Sequence, residues 1–243
     1  MKTIAKILLL FTSLFIVQTI EGQTTESSWN YPAHPGTTEW SKIKTKKEKI
    51  DVCQIPDQKL AKMSTDTLIK TCFSYPLLPD IFFYNNLKAG FESKLSTFNG
   101  FKELILRKDV GTSLLKFYKK MEPNLSNNAD LGDPNSTFKF VFVELLLAHP
   151  SLIVNLTENQ KKEILIETLK KYNYKKEKPE VYSILNQKTS LLIMYLYTIQ
   201  EKSISPDLNN PNENLTLFEK QVIYPGDSIA SLIVEKTKQF LNK

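Results

Sequence analysis

Glycine is scarce and scattered. The seven glycines stand at 22, 36, 90, 100, 111, 132 and 226, and no two lie close enough to build a phosphate-cradling loop. The common glycine-rich routes to nucleotide binding are therefore excluded. Histidine occurs only twice, at His34 and His149, each directly before a proline and neither at nucleophile-motif spacing from a cysteine or carboxylate. We read His34 as part of a turn, and His149 as a helix C-terminal residue where a cation suits the dipole. Arg107 is the only arginine, so the formal charge of +6 is carried by lysine. Phosphate and base-edge recognition favour the planar guanidinium fork, which argues against nucleic acid as a partner. Two histidines and no C-x-x-C leave no redox or metal centre to assign, and no cofactor is expected. The Asp130-Leu131-Gly132-Asp133 segment fails as an EF-hand: aligned on Gly132, it puts Ala129 and Leu131 at ligand positions and Phe138 where a bidentate glutamate belongs.

What the chain does have begins at its N-terminus. Lys2 and Lys6 flank the start of an apolar run from Ile7 to Val17, and polarity returns at Gln18 and Glu21. This is the pattern of a signal peptide over residues 1–22, with cleavage near Gly22-Gln23. The apolar run is shorter than the roughly 20 residues that span a bilayer, and no later segment qualifies as a transmembrane helix. An irregular arm is expected over 23–39, a helical half over 40–121, a loop or hinge over 122–137 and a second helical half over 138–243. Export to an oxidising compartment leaves two readings of Cys53 and Cys72: a disulfide closing a short loop, worth about 3 kcal/mol, or two small apolar side chains buried in helix contacts.

Strand signals are almost absent and helix punctuation is frequent. Trp40 opens a stretch reaching Cys53, and Ser64-Thr65-Asp66 caps another carrying Leu68, Ile69 and Cys72 on one face. Further helices are expected at Asp80 to Leu87, Phe98 to Lys108, Val110 to Met121 and Phe138 to Ala148. Thr157 to Gln160 matches a capping box, followed by Ile164, Leu165, Leu169 and Tyr172 at helical spacing. Leu191 to Ile199 marks another helix, and Ser228 caps the last. The fold class that follows is all-α, an irregular helical bundle or α-α stack of short helices. The lysine-rich runs at 42–49 and 170–178 read as solvated faces. Sequons stand at Asn124, Asn135, Asn155 and Asn214, and Asp66-Thr67-Leu68 and Asp227-Ser228-Ile229 read as helix caps in preference to hydroxyl-modification sites.

One ordered set of residues is distinctive: His34-Pro35-Gly36, Glu39-Trp40, Cys53-Gln54-Ile55-Pro56, Met63-Ser64-Thr65, Thr71-Cys72, Tyr75-Pro76-Leu77, Asp80-Ile81, Asn85-Asn86 and Phe98-Asn99-Gly100. It resembles a helical domain of exported proteins from gut-dwelling diderm bacteria. The resemblance covers Pro35 to Tyr118 well and Glu144 to Tyr197 loosely. It implies an exported location and a helical fold, and no catalytic residue. The functional expectation is a non-catalytic scaffold or interaction module docking an unknown protein or cell-envelope component through a helical groove. The alternative is a glycan-binding or glycan-active protein built from scattered carboxylates, with Trp29, Tyr31 and Trp40 as stacking residues. An apolar groove without clustered ionisable groups favours the first; a concave surface with two carboxylates about 5 to 10 Å apart and exposed aromatics favours the second.

Overall fold

The computed structural model describes residues 28–122, 134–201, 207–208 and 212–243. The expected signal segment, the Asp130 to Asp133 stretch and most of the expected hinge lie outside these residues. Among the described residues there are thirteen α-helices, one 3-10 helix and no strand. The all-α expectation holds.

The N-terminal half is a chain of short helices set by local capping. Trp40 does not open one continuous helix to Cys53. Instead α1 (Thr38–Lys42) ends at Ile43, and α2 (Lys46–Val52) restarts from a capping box in which Thr45 and Glu48 satisfy each other's backbone N–H groups. A third helix, α3 (Asp57–Lys62), follows Pro56. Ser64 then caps α4 (Thr65–Phe73), its hydroxyl accepting from Thr67 N at 3.2 Å, as the sequence indicates. The expected helix at Asp80 to Leu87 is replaced by a 3-10 turn (Leu78–Phe83) and a separate helix, α5 (Leu87–Thr97), capped by Asn86. The reason is a close approach. A Cβ on Gly90 would stand 2.8 Å from the Ile81 Cα, so α5 rests directly on the 3-10 backbone. α6 (Asn99–Leu106) and α7 (Val110–Lys120) fall where their apolar periodicity put them.

The second half is built from longer helices: α8 (Pro134–Leu147), the single turn α9 (Pro150–Ile153), α10 (Glu158–Glu177) and α11 (Ile184–Thr198). Two more close the fold, α12 (Glu213–Gln221) and α13 (Asp227–Leu241). The Thr157 capping box is formed. The last helix, however, starts from Gly226 at φ +93 and not from Ser228; only an achiral residue takes that backbone without strain. α11 is the central element, packed against α8, α10 and α13, while α7 touches α4 and α6 on one side and α8 and α10 on the other. The buried side chains form one continuous core from Tyr31 to Phe240.

Candidate functional site

The densest set of ionisable groups sits where α7, α8, α10 and α11 meet. From Phe140 to Leu147 α8 is buried and apolar except for Glu144, which must therefore find partners inside the protein. Its Oε1 accepts from Lys175 Nζ at 2.6 Å, Tyr118 Oη at 2.7 Å and Ser190 Oγ at 2.7 Å, while its Oε2 accepts from Thr189 Oγ1 at 2.5 Å. Lys175 also donates to the Asn186 carbonyl and lies 4.7 Å from the centre of the Phe140 ring. One turn away Lys171 pairs with Glu167 at 2.5 Å beneath the Tyr118 ring. Burial pulls the Lys175 ammonium below the ordinary lysine value against the attraction of Glu144. Burial, then the Glu144 charge, push the Tyr118 phenol well above its usual value.

This cluster corrects the reading of the 170–178 lysine run as a wholly solvated face, because Lys171 and Lys175 are both 0% exposed. A signal was present. Residues 164, 168, 171 and 175 recur at three- and four-residue steps, so both lysines lie on the apolar stripe that carries Ile164. Glu144 is equally inaccessible at 0%. An acid, a base and three hydroxyls converge without exposure to solvent, and the cluster joins four helices inside the core.

The residues singled out near the N-terminus are also built into the core. Tyr31 is 3% exposed and donates its hydroxyl to the Thr71 carbonyl at 2.8 Å, which removes it as a glycan-stacking residue. Trp29 and Trp40 are half-buried, with Lys59 and Lys49 ammonium groups 4.9 and 5.1 Å from their rings. Cys53 and Cys72 are free, fully buried thiols, matching the second of their two readings. Burial raises both; Cys53 is pushed up to about 11. Arg107, the one arginine, faces inward. It donates to the carbonyls of Leu60 and Met63 and pairs with Glu103 at 3.0 Å, closing the C-terminus of α3. Its fork is occupied by these contacts.

His149 lies at the junction of α8 and α9, above a cavity of about 70 Å³ shared with Lys88, Glu92, Glu219 and Val222. Its Nδ1 is buried without a hydrogen-bond partner. The expectation of a cation favoured by the helix end is corrected here. Burial holds the imidazole below its ordinary value, Lys88 adds to that, and Glu92 at 3.9 Å opposes it. A depressed histidine stabilises the fold fully above the unfolded value, about 6.5, and that contribution is lost as pH falls toward the folded value. The melting temperature should therefore drop on acidification from pH 7.5 to 5.5. His149→Gln should flatten part of that slope in thermal melts across the same range, and an unchanged slope would refute the assignment.

The open concavity lies between α4 and α7. It holds about 350 Å³ and is lined by Asp66, Ile69, Lys70, Ser113, Lys116, Phe117, Lys120 and Met121. Helical spacing produces it: Lys116 and Lys120 stand one turn apart on α7, and Phe117 is followed by Met121 at the C-cap, giving an apolar row beside a basic one. Phe117 stacks on Phe73 of α4 at 5.3 Å, which supports the floor. Lys116 pairs with Asp66 across the cleft at 2.6 Å, and that hydrogen bond is the main reason the Asp66 carboxyl sits below its usual value. Sequence reasoning placed both helices but not this face, because a solvated lysine row and a cleft rim look alike until the partner helix is in position. Among the described residues no group of three or more His, Cys, Asp or Glu is placed to hold a metal ion, and no helix is long and apolar enough to cross a membrane. No family model, curated protein or solved structure matches the chain.

Proposed function

We propose that this chain is an exported, non-catalytic helical binding module whose binding site is the cleft between α4 and α7. The observation that carries this reading is the cleft itself: an apolar floor of Ile69, Phe117 and Met121 with lysines around it, in which the single carboxylate, Asp66, is engaged by Lys116. Its volume is at the lower end of the range that holds small organic ligands. The lysine-flanked apolar run before Gln18 supports export. The non-catalytic part draws support from the location of the titratable groups. The one constellation resembling an acid–base machine, around Glu144, is sealed inside the core.

A screen of chemically diverse small compounds against the full chain, read by the Phe and Met resonances, tests this proposal. Compounds that bind should shift Phe117 and Met121 and be recovered unchanged after prolonged incubation. Phe117→Ser should weaken them without altering the helical circular dichroism. Ligands that map elsewhere, or a bound compound that is converted to product, would overturn the proposal.

A further inference from the structure

We infer that the ligand of the α4–α7 cleft is a small organic anion: one compact apolar body, a single ring or a short chain, carrying a carboxylate or phosphate head. This inference rests on the binding-module reading and adds the chemistry of what is bound.

Charge is the first argument. Three ammonium groups, Lys70, Lys116 and Lys120, surround the cleft against one carboxylate. Lys116 and Asp66 neutralise each other, and neither Lys70 nor Lys120 has an ion pair among the described residues. The alternative account of Lys120 is complementarity to the C-terminal dipole of α7, which Lys119 already supplies while pairing with Glu163 across to α10. Two uncommitted cations on opposite walls of a concave site favour a negative head between them. The Ser113 hydroxyl on the same lining is already donated to Asp66, whose charge Lys120 also helps to offset, so the carboxylate is fully answered and the cleft keeps a net positive charge.

The floor gives the second argument. Ile69 is fully buried, and Phe117 and Met121 are half-buried, so the base of the cleft is apolar and only partly covered. Its residues would gain about 25 cal/mol for each Å² covered by an apolar ligand. A purely inorganic anion would use the lysines and leave that floor wet; a neutral hydrocarbon would use the floor and leave the cations unanswered. Size favours a small ligand over a docked helix, because about 350 Å³ is at the lower end of the range of small-molecule sites. Because both uncommitted groups are lysines, the head is held by point charges and not by a planar fork. Discrimination should then come from the apolar body, with carboxylate and phosphate accepted alike.

The experiment is calorimetric titration of the full chain, with the Phe117 and Met121 resonances followed in parallel, using 3-phenylpropanoate, its neutral counterpart 3-phenylpropan-1-ol, inorganic phosphate and an acidic peptide containing phenylalanine. The expected result is that 3-phenylpropanoate binds, weakens with added salt, and loses about tenfold in affinity in Lys70→Gln/Lys120→Gln. The alcohol and inorganic phosphate should bind far more weakly. If the alcohol binds as well as the acid, or the peptide binds and the acid does not, the ligand class is wrong while the cleft remains the site. If none of the four shifts Phe117 or Met121, the ligand class fails, and the diverse screen decides separately whether the module reading falls with it.

Discussion

Replacing Lys175 with methionine should destabilise the protein by about 3–5 kcal/mol, the usual cost of leaving a buried charge without its partner. Glu144 would keep its hydroxyl donors Tyr118, Ser190 and Thr189 but lose the one group that neutralises it. With roughly 2–4 °C lost per kcal/mol in a chain of this size, thermal melting should fall by about 10 °C. The informative companion is Glu144→Gln/Lys175→Met. An amide still offers a carbonyl to the hydroxyls and carries no charge, so the double variant should be more stable than Lys175→Met alone. A loss below about 1 kcal/mol for the single variant, or no recovery in the double, would show that the pair is not the electrostatic unit described here.

A loss of similar size, about 3–5 kcal/mol, is expected from Phe98→Ala, read as the shift of the urea midpoint at constant slope. Phe98 is fully buried, stacks on Tyr75 at 4.1 Å with an interplanar angle of 8°, meets Phe101 edge-on at 5.6 Å, and touches Tyr31. The surrounding backbone is held by side chains that imitate strand pairing. Asn99 accepts from Ile55 N at 3.0 Å and donates to Ile55 O at 2.7 Å, while Gln54 accepts from Asn99 N at 2.9 Å. Those clamps keep the site from collapsing into the space a deleted ring leaves, which places the expected cost toward the upper end of the range. Phe98→Leu, which fills more of the space, should cost clearly less; equal costs would mean that the ring's volume is not what holds this region.

These residues explain what the distinctive motif set is for. Cys53-Gln54-Ile55 and Phe98-Asn99-Gly100 are far apart in sequence and adjacent in space. Glycine suits position 100 because a Cβ there would stand 2.5 Å from the Phe98 ring and 3.0 Å from Ile55. Met63-Ser64-Thr65 meets Arg107 and Asp109, and Thr71-Cys72 meets Tyr31. The pattern therefore encodes packing of the N-terminal half, and a motif of this kind points to a fold before it points to an activity.

Legibility in the sequence followed how local each cause was. α4 and α10 were readable because Ser64 and Thr157 cap them within a single turn. α3, α5 and α12 were not, since each is short or polar and depends on neighbours: α5 on the bare backbone under Gly90, and α12 on an αL residue, Val222 at φ 58, held there by complete burial of its side chain. The lysines illustrate the same limit in the candidate site. Lys175 and Lys176 are neighbours in sequence, one fully buried and the other exposed; helical spacing separates their faces, but the partner that makes burial of Lys175 tolerable, Glu144, stands on another helix.

The single arginine has a practical consequence. The Arg107 side chain is 14% exposed and bound to two carbonyls and a carboxylate, so an arginine-specific protease cannot seat the guanidinium in its specificity pocket while those contacts hold. Cutting requires the α3–α6 region to open, and where opening and closing are fast the rate reports the population of that open form. One enzyme acting at one bond therefore gives a clock for the stability of the N-terminal half, readable as two fragments on a gel and unaffected by the many exposed lysines.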